Sequence, residues 1–194
     1  MKKWANRTPL WAYILIGTAI MAVSAFIELK MGRLPMCKCG YIKLWAAVNS
    51  PELSQQIVDC YSFSHIIHGF GLYGFFHIIG RGKWPIGFCL LLTIFAEASW
   101  EVLENTTFII ERYRHSTLSM DYYGDSIVNS MSDILFAVLG FVLAAYLPVW
   151  LTVSLIVAME VAVGYAIRDN LTLNIIMLIY PVEVIRHWQL TRGF

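Results

Sequence analysis

The sequence predicts an all-α fold: a polytopic transmembrane helix bundle of about six helices, with short hairpin links and two longer periplasmic loops. Two observations carry that prediction. Of the 194 residues, 58% are hydrophobic and 14% charged, against about 45–50% apolar and roughly 25% charged in an ordinary soluble domain. The apolar residues also fall in runs near the roughly 20 residues that a membrane helix needs. That is enough for five or six spans with little left for a soluble domain, so residues 1–194 read as a single integral membrane domain. A formal net charge of +1 leaves no basic excess for nucleic acid.

The first run, Leu10 to Leu29, is followed by no small-residue cleavage site and reads as a retained helix. Phe63 to Ile79, Trp84 to Leu103, Ile127 to Tyr146 and Leu151 to Ile167 come next. Leu171 to Ile185 is a weaker sixth, interrupted by Asn174 and Pro181 and carrying Glu183, for which a re-entrant or kinked helix also fits. The links Arg81-Gly82-Lys83 and Leu147-Pro148-Val149-Trp150 allow only tight hairpins, whereas Lys30 to Ser62 and Glu104 to Gly124 are long enough to hold structure.

Cys37, Cys39 and Cys60 share one hydrophilic stretch, and either Cys37 or Cys39 joined to Cys60 would staple it in an oxidising compartment. The basic residues divide evenly between the two faces of a six-span bundle. The basic N-terminus (Lys2, Lys3, Arg7) and the Arg81-Gly82-Lys83 turn sit close to helix ends, where positive charge marks the cytoplasm. Both termini are therefore placed in the cytoplasm and the cysteine loop in the periplasm.

With alternating spans, most ionisable residues near the helices fall on the cysteine-loop face. They are Glu28; Asp59, His65 and His68; Glu97, Glu101 and Glu104; Asp125, Asn129 and Asp133; and Arg168, Asp169 and Asn170. Glu160, near the middle of its span, favours neither face. Glu97, Glu101 and Glu104 are spaced i, i+4, i+7, His65 and His68 i, i+3, and Asp125, Asn129 and Asp133 i, i+4, i+8, so each set lines one helix face. A charged side chain in hydrocarbon costs about 2.5–3.5 kcal/mol on insertion scales, and such residues usually face a bundle interior or a wet cavity. The sequence thus implies a cavity open to the periplasm and floored by carboxylates.

Two imidazoles at i, i+3 can share one ion, with Glu101 and either Glu97 or Glu104 adding oxygens, so His65, His68, Glu97 and Glu101 are the candidate metal ligands. The cofactor expected is one divalent metal ion, zinc first among the choices. Asp125, Asp133 and Glu104 are the acid–base candidates. Without a metal, Asp125 or Asp133 paired with another carboxylate would share a proton as aspartic proteases do. Arg112, Arg114 and Arg168 are placed at the cavity mouth, where guanidinium groups suit phosphate or carboxylate, and Asn129 joins them as a substrate-binding candidate. Trp100, Tyr122 and Tyr123 read as interfacial aromatics, and Gly69, Gly71 and Gly74 as small residues that allow close helix packing.

A series of motifs resembles a known family. They are Cys37-Lys-Cys-Gly, Ser54-Gln-Gln, Asp59, Tyr61-Ser-Phe-Ser-His-Ile-Ile-His-Gly-Phe, Trp100-Glu-Val-Leu-Glu-Asn, Glu111-Arg-Tyr-Arg, Tyr123-Gly-Asp-Ser, Asn129-Ser and Arg168-Asp-Asn-Leu-Thr-Leu-Asn. In this order they are similar to an uncharacterised family of bacterial inner-membrane proteins of about this length, classed as a domain of unknown function. The resemblance runs from Arg33 to Gln189 and implies an inner-membrane location and one domain; it supplies no activity.

From the residues, the leading reading is a periplasm-facing integral membrane enzyme, a metal-dependent hydrolase or transferase acting on an anionic lipid or lipid-linked substrate. The alternatives are a metal-free, paired-carboxylate membrane hydrolase, or a non-enzymatic transporter or accessory subunit. A transporter must admit water from both sides, and the cytoplasmic half offers little beyond His77 and the basic turns.

Overall fold

Eight helices account for most of the residues that the computed structural model describes, 8–47, 50–116 and 122–191. They are α1 (Leu10–Lys30), α2 (Ser62–Ile79), α3 (Ile86–Glu104), α4 (Thr107–Ser116), α5 (Ile127–Tyr146), α6 (Val149–Ile167), α7 (Leu171–Ile179) and α8 (Glu183–Leu190). Lys2, Lys3 and Arg7, used above for orientation, lie outside the described residues. Among the described residues there is no strand, only an isolated bridge between Trp45 and Val58. Helices α1, α3, α5 and α6 are long and apolar enough to cross a membrane. The fold is the polytopic helical bundle expected, with eight helices among the described residues where six were counted.

The extra helices arise where the sequence has no long apolar run. Helix α4 folds within the Glu104 to Gly124 connection, and the weak sixth run divides into α7 and α8. Pro181 divides it, because proline has no N–H to continue the helical ladder and its ring blocks the preceding turn; Tyr180 and Val182 beside it are extended.

Helices α1 and α3 run parallel. Tyr13 lies against Gly87 near the start of both, and Gly17 lies against Leu91 and Ile94 further along. Only 11% of α1 and of α6 is buried, against 44% of α3 and α5, so the first pair turns most of its surface to lipid. Helix α2 is diluted by His65, His68 and His77, yet it is the companion of α5. The two run parallel with their backbones in direct apposition. A Cβ on Gly69 would stand 2.0 Å from the Ala137 carbonyl oxygen, and one on Gly140 would stand 2.1 Å from that of Ile66. Small residues at a helix crossing permit this approach where no hydrophobic force drives association. Gly71 and Gly74 meet nothing within 4 Å, so only Gly69 of the three glycines serves packing.

The C-terminal part does not cross. Asn170 caps α7 by accepting from the Leu173 N–H at 2.9 Å, and Glu160 accepts from the Leu171 and Thr172 N–H groups at 3.0 and 3.1 Å. Glu160 is thereby a structural group. The other end of α7 is held by Arg112 of α4, which donates to the Leu178 and Ile179 carbonyls at 2.8 and 3.1 Å. Nine residues of helix reach only about 13 Å, under half of a hydrocarbon core of about 30 Å. Helix α8 then returns to the end of α6, where Gln189 donates to the Arg168 carbonyl at 3.0 Å. Leu10 and Leu190 therefore lie at opposite ends of the bundle, where the sequence predicts both ends of the chain on one side; residues 1–7 and 192–194 themselves lie outside the described residues.

The strap from Met31 to Tyr61 also differs from expectation. The disulfide joins Cys37 to Cys39, whereas Cys60 is a buried free thiol. The reason is position: Cys60 packs on Val163 and Ile167 of α6, away from the other two. Polar ties hold the strap down. Gln55 donates to the Gly124 carbonyl at 2.8 Å, and Asn129 donates to the Gln56 carbonyl at 3.0 Å.

Two predictions follow from this packing. Gly69→Ala and Gly140→Ala each push a Cβ into backbone and should lower stability by about 1–3 kcal/mol, read as a drop in thermal unfolding temperature in detergent, while Gly71→Ala and Gly74→Ala leave it unchanged. The second concerns Asp169, whose carboxyl is lifted to about 6, first by burial, against hydrogen bonds from Tyr61, Asn174 and the Asn170 N–H, with Glu160 adding repulsion. The folded state then holds the proton more tightly than the unfolded chain. Stability therefore falls as pH rises from the ordinary value of 3.8 through about 6, and the cost is complete above that window. Asp169→Asn should raise the unfolding temperature at pH 7.5, by roughly 1–3 kcal/mol of stability, and change little at pH 4; an equal shift at both pH values would show that the charge is not the cause.

Candidate functional site

The site is assembled where α2 begins. Asp59 accepts from the backbone N–H groups of Ser54, Tyr61 and Ser62 at 3.0, 2.7 and 3.2 Å, satisfying donors that a helix start leaves free. Burial raises the Asp59 carboxyl, and those N–H groups together with His65 pull it back. One turn on, His65 projects between α3 and α5. Its Nδ1 lies 2.5 Å from Glu97 Oε1 and 3.4 Å from Glu101 Oε1, and its Nε2 lies 3.8 Å from Asp133 Oδ2. His68 Nδ1 stands 3.1 Å from the same Glu97 oxygen. Ser62 donates to Asp133 at 3.1 Å. Glu101 is 1% exposed, and its Oε1 has no hydrogen-bond partner.

A second layer surrounds Asp125, at the entry to α5. Asn105 and Tyr122 both donate to Asp125 Oδ2, at 3.0 and 2.9 Å, and the Asp125 N–H donates to Asn105 Oδ1 at 2.8 Å. Burial lifts the Asp125 carboxyl to about 6, with the Tyr122 and Asn105 hydrogen bonds and the charge on His65 opposing and Asp59 adding to the rise. Glu104 is hydrogen-bonded to Tyr113, and burial first, then the nearby carboxylates, push the Tyr113 and Tyr122 phenols well above their ordinary range. Gly124 turns the chain into this layer at φ +96°, and a side chain there would strike Arg33, Asn105 and Ile110.

These groups face a cavity of about 630 Å³ whose lining changes along α2, from His65 and His68 near its start to Leu72 and Phe75 one to two turns further on. His65, His68, Glu97, Glu104, Asp125, Asn129 and Asp133 line one end, and Glu101 lies buried among them. Leu72 and Phe75 of α2 and Ile175 and Leu178 of α7 belong to the apolar end. Three groups bring ligand atoms within 4.8 Å of one another: His65, His68 and Glu97; His65, Glu101 and Asp133; and Glu101, Glu104 and Asp125.

The structure thus brings the seven candidate metal and acid–base residues together and sets Asn129 beside them. It does not bring the arginines. Arg112 is committed to the α7 carbonyls, Arg114 donates to the Tyr122 carbonyl, and Arg168 donates to the Trp188 carbonyl and Thr191 hydroxyl and lies over the Trp188 ring. None of the three lines the cavity. Two aromatics read as interfacial are instead part of the site: Trp100 lines the cavity edge-on to His68, and Tyr122 holds Asp125. Asn105 and Tyr113 went unassigned in the sequence, although Trp100-Glu-Val-Leu-Glu-Asn and Glu111-Arg-Tyr-Arg carry them within the recognised motifs.

Fold and site together define a polytopic helical membrane protein with a cavity of imidazoles and carboxylates between its helices. The family model described as "Protein of unknown function (DUF2585)" matches residues 28–191, and this chain belongs to that family. A UPF0314 protein of Rhizobium johnstonii is 51% identical over 172 residues, 88% of each chain. UPF0314 proteins of Brucella anthropi (50% identity, 97% of this chain and 94% of the relative) and Novosphingobium aromaticivorans (48%, 90% and 88%) are similar throughout. No solved structure matches the chain.

Proposed function

We propose that this protein is a bacterial inner-membrane enzyme, a metal-dependent hydrolase or transferase that acts on an anionic lipid or lipid-linked substrate at the periplasmic leaflet. The observation that carries this reading is the two-ended cavity: a headgroup fits the end lined by imidazoles and carboxylates, and a hydrocarbon chain fits the arm between α2 and α7. Lipid substrates need both in one continuous space.

His65, His68, Glu97 and Glu101 hold the metal, a donor set of nitrogen and oxygen that suits zinc. The ion supplies a Lewis acid and an acidified water. Asp133, oriented by Ser62, and Asp125, oriented by Tyr122 and Asn105, are the general-base candidates, with Glu104 beside Asp125 as a further proton acceptor. Asn129, which lines the same end, is the headgroup-binding candidate. The arginines are committed elsewhere, so the metal, not guanidinium, balances the substrate's negative charge.

The Cys37–Cys39 disulfide lies on the site face and favours an oxidising compartment there, hence a periplasmic site. With α7 and α8 returning to that face, the N-terminal side of α1 is cytoplasmic and the end of α8 periplasmic. Alkaline phosphatase fused after Leu190 should therefore be active and the same enzyme fused in the Arg81-Gly82-Lys83 turn inactive. The reverse pattern would place the site in the cytoplasm.

Elemental analysis of detergent-purified protein tests the metal. Stoichiometric divalent metal is expected in the wild type, with a clear loss in His65→Ala/His68→Ala, and headgroup release from mixed phospholipid vesicles should vanish in both His68→Ala and Glu101→Ala. Unchanged metal and unchanged turnover in these variants would overturn the reading.

A further inference from the structure

We propose that the polar end of the cavity holds two divalent cations, with Glu101 as the carboxylate they share: one held with His65 and Asp133, the other with Glu104 and Asp125. This rests on the metal-dependent reading and extends it to a second ion of different chemistry, with Asp133, Asp125 and Glu104 serving as ligands in place of the proton-accepting roles they have in the one-ion reading.

Three observations carry it. Glu101 belongs to two separate groups of convergent ligand atoms, one containing His65 and Asp133 and the other Glu104 and Asp125. The second group contains no imidazole. An all-oxygen set takes a hard cation, magnesium or manganese, where the histidine-containing set takes zinc or manganese. Glu101 is also a carboxylate left incomplete by the protein itself, as Glu28 is: it is 1% exposed, and its Oε1, 3.4 Å from His65 Nδ1, accepts no hydrogen bond. Its neighbours are oriented from behind, Asp125 by Asn105 and Tyr122 and Glu104 by Tyr113, the arrangement in which outer hydrogen bonds aim ligands at a metal.

Charge points the same way. Glu97, Glu101, Glu104, Asp125 and Asp133 are gathered around two imidazoles, and buried charges in a low-dielectric interior require partners. One divalent cation offsets two of those five charges and two offset four, while Asp59, which also lines the cavity, is held by three backbone N–H donors. Paired divalent cations suit displacement at a phosphoryl centre, where one ion steadies the attacking oxygen and the other the leaving one, which narrows the lipid substrate to a phosphate ester or anhydride.

Manganese titration of chelator-treated protein, followed by electron paramagnetic resonance of free and bound ion, tests the proposal. The expected result is two bound equivalents in the wild type with the spectral signature of a spin-coupled pair, and one equivalent with no coupling in Glu104→Gln/Asp125→Asn. His65→Ala/His68→Ala should also keep one, at the oxygen site. A single equivalent in the wild type, unaffected by Glu104→Gln/Asp125→Asn, overturns the second ion and leaves the one-metal enzyme standing. No bound manganese or zinc in the wild type overturns both. If the double variant does not purify as a monodisperse protein, Glu104→Gln alone is read the same way, and the wild-type stoichiometry decides without any variant.

Discussion

Everything in this structure is arranged around the enclosure of His65 among Glu97, Glu101 and Asp133 inside a membrane bundle. An imidazole within reach of three buried carboxylates is stable only where the helices bearing them are held at fixed distances, because each unpaired charge in hydrocarbon costs several kcal/mol. The glycine contact between α2 and α5 provides that fixity. By removing side chains at Gly69 and Gly140, it brings the helix carrying His65 and His68 against the one carrying Asp133. Helix α3 closes the third side with its glutamates. The outer helices α1 and α6 meet lipid and carry few of these demands.

The closed end of the cluster depends on chain outside the crossing helices. The strap between α1 and α2 supplies Ser54, whose N–H anchors Asp59, and Gln55 and Gln56, whose contacts run to Gly124 and Asn129. Helix α4 supplies Tyr113, and the segment after it supplies Tyr122. Loops here satisfy and aim polar groups that the spans themselves cannot, consistent with irregular backbone at membrane depth being confined to places where it is buried in protein or lines a cavity.

The sequence made much of this legible and left some of it hidden for identifiable reasons. Hydrophobic runs gave the spanning helices nearly to the residue, since lipid imposes one strong condition on every position. Helical spacing put Glu97, Glu101 and Glu104 on one face because i, i+4 periodicity is local. What remained out of reach was non-local. Whether Arg112 meets a substrate or the end of α7 depends on where α7 stops, and that depends on Pro181 and on Glu160 capping its start. The same holds for Cys60, whose neighbours on α6 follow about 100 residues later in the chain and make it a packing residue. Tyr122 and Trp100 looked like belt aromatics because composition records only that a ring is near an interface, not which way it turns.

The displacement of the arginines alters the chemical argument most. A cavity ringed by guanidinium groups would bind an anion by charge alone and would need no ion. With Arg112, Arg114 and Arg168 bound to backbone carbonyls, the polar end is left rich in carboxylate, which repels a phosphate or carboxylate headgroup. An anionic substrate can enter such a site only if cations arrive first and reverse its sign. The apolar arm has the converse preference, since it stabilises a hydrocarbon chain by burial at roughly 25 cal/mol per Å² and is indifferent to charge. In the proposed function, affinity from the chain and charge reversal from the metal would therefore act on different parts of one molecule, a division suited to a lipid substrate and unhelpful to a small soluble anion.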